Sequence, residues 1–297
     1  MNGSELLPSW SEGDAKSAVL EFVESVTRPG ASGASYVPPA DRIATFDNDG
    51  TLWCEKPQYA QAEFLFRRWK QMIEADPAKA REQPYKALAV NDQAWLTSLL
   101  DHVPELVKGA GEAYEGITVG AFEQAVREFF ATATHPTLGL PYTKAGYRPM
   151  RELLDLLQAR HFTVFICSGG GRDFMRPVSE QMYGIPRERV IGSATAVQYR
   201  DGELYRTKDV EQPIDDGPGK PEHIWMRTGR KPILACGNAD GDVPMLETAR
   251  FSLLIRHDDA SREFAYDTGA EKALAEANER GWTVVSMHND FKVVFDL

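Results

Sequence analysis

Cysteine is scarce: among 297 residues there are three, Cys54, Cys167 and Cys236. None forms a C-x-x-C pair, which excludes a disulfide framework and the usual structural zinc spacings. Free thiols suit a reducing compartment. Long apolar runs are missing as well. None approaches the ~18 residues of a membrane span, so no membrane partner is expected. The opening residues, polar and acidic as far as Asp14, lack the basic-then-apolar pattern of an export signal. The expected location is cytoplasmic, although a removed signal would leave no trace. Positive charge is also in deficit. Lys plus Arg number 33 against 44 Asp plus Glu, a formal charge of −11. That balance opposes nucleic-acid binding, which needs basic surface. It leaves room for a small anionic substrate, because a metal and a few local cations reverse the field inside a cleft. The six histidines fall in no ligand spacing, and there is neither an internal repeat nor a low-complexity tract. What remains is a chain 42% apolar, enough to bury the core of one large domain or two smaller ones.

Strands alternate with helices over most of the length. Residues 14–26 carry Val19, Phe22, Val23 and Val26 on one helical face, and a Gly/Ser/Pro-rich loop, 29–39, leads to an apolar strand at 42–46. From Pro57 to about Thr134 only helical spacing recurs, at 57–75, 91–100 and 119–132. The α/β pattern resumes with a helix at 147–160 and a strand at 162–167, followed by a Gly-rich turn and a helix near 172–183. A strand at 189–192, a hairpin at 195–206 turning at Asp201-Gly202, a helix at 220–228 and a strand at 232–236 come next. Strand 251–255, helix 268–280 and strand 282–286 complete the series. Such alternation predicts an α/β fold, a three-layer core with a parallel sheet covered on both faces. The helical block reads as an insertion into it.

Three strand ends carry polar residues. The first is Phe46-Asp47-Asn48-Asp49-Gly50-Thr51-Leu52. Carboxylates two apart at a strand end point the same way, and Gly50 allows a sharp turn. Such a corner suits a divalent metal and a phosphoryl group. The second is Ser168 with Gly169, Gly170 and Gly171, whose hydroxyl and backbone N–H groups can hold phosphoryl oxygens before a helix. The third is Gly237-Asn238-Ala239-Asp240-Gly241-Asp242. Between the second and third, Lys220 opens a helix and offers a fixed cation. Each piece alone is commonplace; their order and their placement after strands are not.

In these residues the chain resembles the haloacid dehalogenase superfamily, most closely its phosphoserine-phosphatase-like branch. Asp47, Asp49, Thr51, Ser168, Lys220 and Asp242 stand in the family's order, and 237–246 looks like its G-D-G-x-N-D-x-x-M-L run. The resemblance implies a Rossmann-like catalytic core, residues 1–54 and 146–297, with an inserted helical cap, 55–145. It implies hydrolysis of a small phosphorylated metabolite with Mg²⁺ as cofactor, by a monomer or homodimer. Asp47 would attack phosphorus and carry an aspartyl-phosphate. Asp49 would protonate the leaving oxygen and then activate water; the superfamily's dehalogenases lack this carboxylate, so its presence favours phosphoryl transfer. Ser168 and Lys220 would stabilise the transferring group, with Thr51, Glu55, Gly169 and Gly170 as further substrate contacts. The metal would lie on Asp47, the Asp49 carbonyl and the third corner, where Asn238, Asp240 and Asp242 are the candidates. A phosphotransferase using the same phosphoenzyme, and a non-catalytic phospho-ligand binding module, are the alternatives.

The chain departs from the family's pattern in three places. Asn238 replaces the usual metal-binding Asp, Gly241 replaces the Asn that contacts phosphoserine, and Glu55 lies one position early. Elsewhere bland expectations prevail. Arg67 and Arg68 read as a solvated helix face, Cys167 and Cys236 as small buried side chains, Trp53 as a pocket wall or hinge, and Trp69 and Trp95 as cap core. His257, after a strand, is a weaker candidate for approach to the cleft.

Overall fold

The computed structural model describes residues 6–29 and 35–296; residues 1–5 and the 30–34 part of the Gly/Ser/Pro-rich loop lie outside the described residues. The chain forms two compact units, one of Met1–Cys54, Thr143–Gly192 and Asp215–Leu297, the other of Glu55–Tyr142 and Ser193–Ile214. In chain order the strands are β1 (Ile43–Phe46), β2 (Thr163–Gly171), β3 (Val190–Ser193), β4 (Thr195–Arg200), β5 (Glu203–Val210), β6 (Leu234–Gly237), β7 (Phe251–Asp258), β8 (Ala265–Tyr266) and β9 (Thr283–Ser286).

The first unit is the expected α/β core. Its sheet runs β3-β2-β1-β6-β7-β8, with β9 also on β7. β1 is parallel to β2 and β6, β7 is parallel to β6 and β9, and β8 is antiparallel. All four residues of β1 are buried, as a strand covered on both faces requires. One face, with Ile43, Phe165 and Leu254, packs on Ile224, Leu246 and Ala273 from the helices Gly219–Thr228, Val243–Thr248 and Glu271–Arg280. Helix Arg148–Ala159, opened by a proline in its first turn, buries Met150, Leu153, Leu154 and Leu157 as one stripe. The chain runs from β1 to β2 on one side and later crosses back to β6 on the other. The order therefore reverses at β1, and ligands of open α/β sheets bind at the carboxyl end of such a strand. In register, Phe46 lies opposite both Ile166 and Cys236, so Asp47 emerges between β2 and β6.

The second unit holds the helices Ala60–Ala75, Tyr85–Ala89, Gln93–Thr97, Val103–Ala113 and Val119–Thr132. Phe64 stacks on Tyr114 with centroids 5.1 Å apart and meets Phe122 and Phe129 edge-on. Trp69 and Trp95 are buried, as expected. The arginines of the first helix are less free than the sequence suggests. Arg67 pairs with Glu63 at 2.8 Å, and Arg68 donates to the Ala113 carbonyl at 2.7 Å while lying over Tyr114.

The division of the chain differs from expectation in one respect. The β4–β5 hairpin, assigned by sequence to the core, packs with the helical unit. Asp201 and Gly202 take positive φ, 50° and 88°, as a two-residue D-G hairpin turn demands. β5 is stitched to residues 116–118 by Arg206 N–H to the Ile117 carbonyl and Gly116 N–H to the Arg206 carbonyl, both 2.9 Å. The Arg206 guanidinium lies 3.8 Å from the Phe122 ring centroid. Helix Val103–Ala113 was also not expected, because Gly109 and Gly111 weaken its pattern. Both are contact points: an added Cβ would come 2.5 Å from Pro84 at one and 2.2 Å from the Lys208 carbonyl at the other. The expected helix at 91–100 shrinks to Gln93–Thr97 and a separate 3₁₀ turn, Leu99–His102.

Candidate active site

The loop after β1 is fixed from within. Asp47 N–H donates to the Cys236 carbonyl at 2.9 Å, continuing the ladder one residue past the strand. The Asn48 carbonyl then accepts the N–H groups of Thr51, Leu52 and Trp53, and Gly50 N–H returns to the Trp53 carbonyl. Gly50 has φ 76°, and a Cβ there would sit 2.1 Å from Asn238 Nδ2; only glycine serves. Thr51 Oγ1 donates to Asn238 Oδ1 at 3.1 Å, tying the first corner to the third.

Lys220 is buried at the junction of the corners. Its ammonium donates to Asp47 Oδ1 and Asp242 Oδ1, each at 2.6 Å, and to the Cys167 carbonyl at 3.0 Å, which uses all three protons. Burial works against this cation, but Asp242 and Asp47 outweigh it and hold Lys220 well above an ordinary lysine. Burial, reinforced by the Asp242 charge, pushes the Asp47 carboxyl well up against the pull of Lys220. One cation between two carboxylates leaves the cluster short of positive charge. Asp242 Oδ2 accepts the N–H groups of Asn238 and Ala239, at 2.9 and 3.0 Å. Both Asp242 oxygens are thus committed to orienting Lys220 and the loop, a different arrangement from the metal ligand expected there. Asp240 Oδ1 accepts Ala273 N–H at 2.8 Å and anchors the next helix. Among the third-corner candidates, Asn238 keeps its oxygen beside the first corner. No group of three or more His, Cys, Asp and Glu side chains among the described residues is arranged to hold a metal. A hard cation can be held by carboxylate, amide and main-chain oxygens together, and the missing positive charge beside Asp47 and Asn238 fits one.

Asp49 is half-buried, and its Oδ1 accepts the Trp53 indole N–H at 2.8 Å. Trp53, expected as a wall or hinge, thus orients a carboxylate. Ser168 is buried, and its Oγ accepts Gly170 N–H at 3.1 Å. The expected Gly-rich turn is instead the extended end of β2, which runs through Gly171. Gly192 of β3 permits a close approach to it: a Cβ on Gly192 would lie 2.9 Å from the Gly170 carbonyl. Gly169 faces Asp216, with 3.7 Å between its Cβ position and that side chain, and a Cβ on Gly241 would come 2.2 Å from Asp216 Oδ1. Glu55 belongs to the second unit, buried, with Lys56 Nζ 4.0 Å away.

Asp215 escaped sequence reasoning, and His257 was only a weaker candidate for approach to the cleft. Asp215, fully buried, approaches Cys167 Sγ at 3.4 Å and His223 Nδ1 at 2.9 Å. Burial and then Asp215 push the Cys167 thiol well up, and burial does the same to Cys236, which disfavours the thiolate at both. Behind the first corner, His257 Nε2 donates to the Gly50 carbonyl at 2.8 Å. No sequence spacing signals either contact, since the partners are 48 and 207 residues apart.

Residues 44–247 match the family model of the haloacid dehalogenase-like hydrolases, well over half the chain, and the chain belongs to that family. A conserved, functionally unknown protein from Anaerococcus prevotii DSM 20548 is similar in structure, with a TM-score of 0.58 at 15% identity over 91% of each chain. A protein of unknown function from Bordetella pertussis Tohama I reaches 0.52 at 16% identity, over 82% of this chain and 98% of that one. At such identities the likeness shows the fold alone. No curated protein sequence matches the chain.

Proposed function

We propose that this haloacid dehalogenase-like hydrolase is a phosphoserine-phosphatase-like, Mg²⁺-dependent phosphatase that cleaves a small phosphomonoester through an aspartyl-phosphate. The observation that carries this reading is Lys220, held 2.6 Å from both Asp47 and Asp242 at the carboxyl end of β1. An Asp47 oxygen attacks phosphorus, and the ester P–O bond breaks. Asp49, oriented by Trp53, delivers its proton to the departing alkoxide. As the carboxylate, Asp49 then takes a proton from water, whose oxygen displaces Asp47 from phosphorus and releases phosphate. Lys220 and Ser168 stabilise the charge spread over the transferring oxygens. The Asp47 carboxylate, the Asp49 carbonyl and the Asn238 amide oxygen would hold Mg²⁺, which would supply the positive charge that the cluster lacks. Asp242 positions Lys220 rather than the metal, and the second unit takes the cap's role of selecting the substrate. Gly241, in place of the usual Asn, argues for a substrate other than phosphoserine. Phosphate release from a panel of phosphorylated metabolites, with and without Mg²⁺, tests the reading. Mg²⁺-dependent release from at least one ester supports it. Folded protein that releases none contradicts it, and transfer to an added alcohol in place of water would make the enzyme a phosphotransferase.

A further inference from the structure

A second polar cluster is buried behind the first corner. Glu263 accepts four donors: Oε1 takes the Tyr147 hydroxyl at 2.7 Å and the Cys54 thiol at 3.2 Å, and Oε2 takes Phe264 N–H at 2.6 Å and faces His257 Nδ1 at 3.1 Å. His257 is itself buried, stacked on Tyr266 with centroids 4.5 Å apart. Its other nitrogen faces the Gly50 carbonyl at 2.8 Å. A carbonyl and a carboxylate can only accept, so Nε2–H donates to Gly50 and Nδ1–H to Glu263. A buried polar network of this kind is costly unless it is satisfied. A core that needed only volume at this place would be served by apolar side chains.

The network reaches a main-chain acceptor in the first corner, the Gly50 carbonyl. Gly50 is held on each of its sides. Its N–H goes to Trp53, its carbonyl to His257, and its Cα face abuts Asn238. The peptide before Gly50 carries the Asp49 carbonyl, and the one after it carries the N–H of Thr51, whose hydroxyl meets Asn238. Rotation of the peptide after Gly50 would break the His257 contact and shift Thr51, whose hydroxyl holds Asn238.

We propose that His257 is a positioning residue for the reaction, with Glu263 holding its ring so that Nε2–H fixes the Gly50 carbonyl and, through it, the loop bearing Asp49. The role in turnover rests on the phosphatase reading; the role in ordering the loop does not.

Two measurements on full-length His257→Phe and His257→Gln proteins separate these. The first is hydrogen–deuterium exchange over 47–54, read without substrate. Phe, which keeps the ring's volume but donates nothing, should speed exchange there and leave 60–75 unchanged. Gln, whose amide places an N–H near the Nε2 position, should restore protection. The second is steady-state hydrolysis of p-nitrophenyl phosphate with Mg²⁺. His257→Phe should lower kcat by about 10–100-fold, the usual cost of losing an outer support, with KM little changed, and His257→Gln should recover most of the rate. Unaltered exchange over 47–54 in His257→Phe, or a Gln variant as impaired as Phe, overturns the inference. Ordered exchange behaviour in a protein that hydrolyses nothing would remove the phosphatase reading and leave the loop-ordering role standing.

Discussion

The buried charge clusters around Lys220 and Glu263 occupy the same α/β unit and invert one another. At Lys220 a single cation serves two carboxylates, and Asp47 is pushed up for want of positive charge. At Glu263 a single carboxylate has a full set of donors; burial resists its ionisation, but His257, Phe264 and Tyr147 hold it below the ordinary glutamate range. In the function proposed, the first cluster takes up a cation and a phosphoryl group. The second is complete and serves to hold the loop. A satisfied buried charge makes structure, and an unsatisfied one beside a strand end makes a site.

The largest effect should come from Lys220→Met. It leaves Asp47 and Asp242 buried without their cation, at a cost of about 3–5 kcal/mol in stability, and it abolishes turnover; urea unfolding and phosphate release measure the two losses. If both carboxylates tolerate the change with unaltered stability, the charge deficit is not as described. Next comes Asp49→Asn. Its Trp53 contact survives on the amide oxygen, so folding should be normal while kcat falls by roughly 10²–10⁴. An unchanged kcat on an ester with a poor leaving group would remove Asp49 from the proton transfer.

Glu263→Gln probes the saturated cluster through stability and pH. Because the folded state depresses the Glu263 value, its contribution is full above the unfolded carboxylate range, near 4.3, and disappears as pH falls through the lower folded value. Wild type should therefore exceed the variant by about 1–3 kcal/mol at neutral pH, and the gap should close in acid. A pH-independent gap would mean that the ionisation of Glu263 contributes nothing to stability. The smallest effect belongs to Asn238→Asp. A carboxylate there adds the charge that the first cluster's amide withholds, so less Mg²⁺ should be needed for half-maximal activity. A Mg²⁺ titration that does not move would assign Asn238 only its contact with Thr51.

The same contrast marks what the sequence made legible. Asp47 and Asn238 follow strands, Ser168 lies near the end of β2 and Lys220 stands in the first turn of a helix, so their places beside regular elements marked them. The α/β core was legible for the same reason. Trp53's hold on Asp49 was not, because it depends on a loop reversal set by Gly50. Asp215 and Glu263 were not, and His257 was marked only by following a strand, because the contacts with Cys167, Tyr147 and Gly50 join residues far apart in sequence. The hairpin β4–β5 announced its turn through Asp201-Gly202 but not its unit, since the contacts that settle it, Arg206 on Phe122 and β5 on Gly111, are tertiary. The extended Ser168–Gly171 segment misled because glycine usually marks a turn; here the strand continues through Gly171, and Gly169 lies against Asp216.

The central claim is that Asp47 forms a covalent bond to phosphorus. The most direct measurement is mass spectrometry of rapidly acid-quenched enzyme during turnover of a phosphomonoester with Mg²⁺. A phosphoryl adduct is expected on the segment carrying Asp47, enriched in Asp49→Asn, where hydrolysis of the intermediate is slowed, and absent in Asp47→Asn, which should also be inactive. Steady phosphate release with no adduct on that segment, or turnover retained by Asp47→Asn once reversion to Asp is excluded by mass, would contradict it.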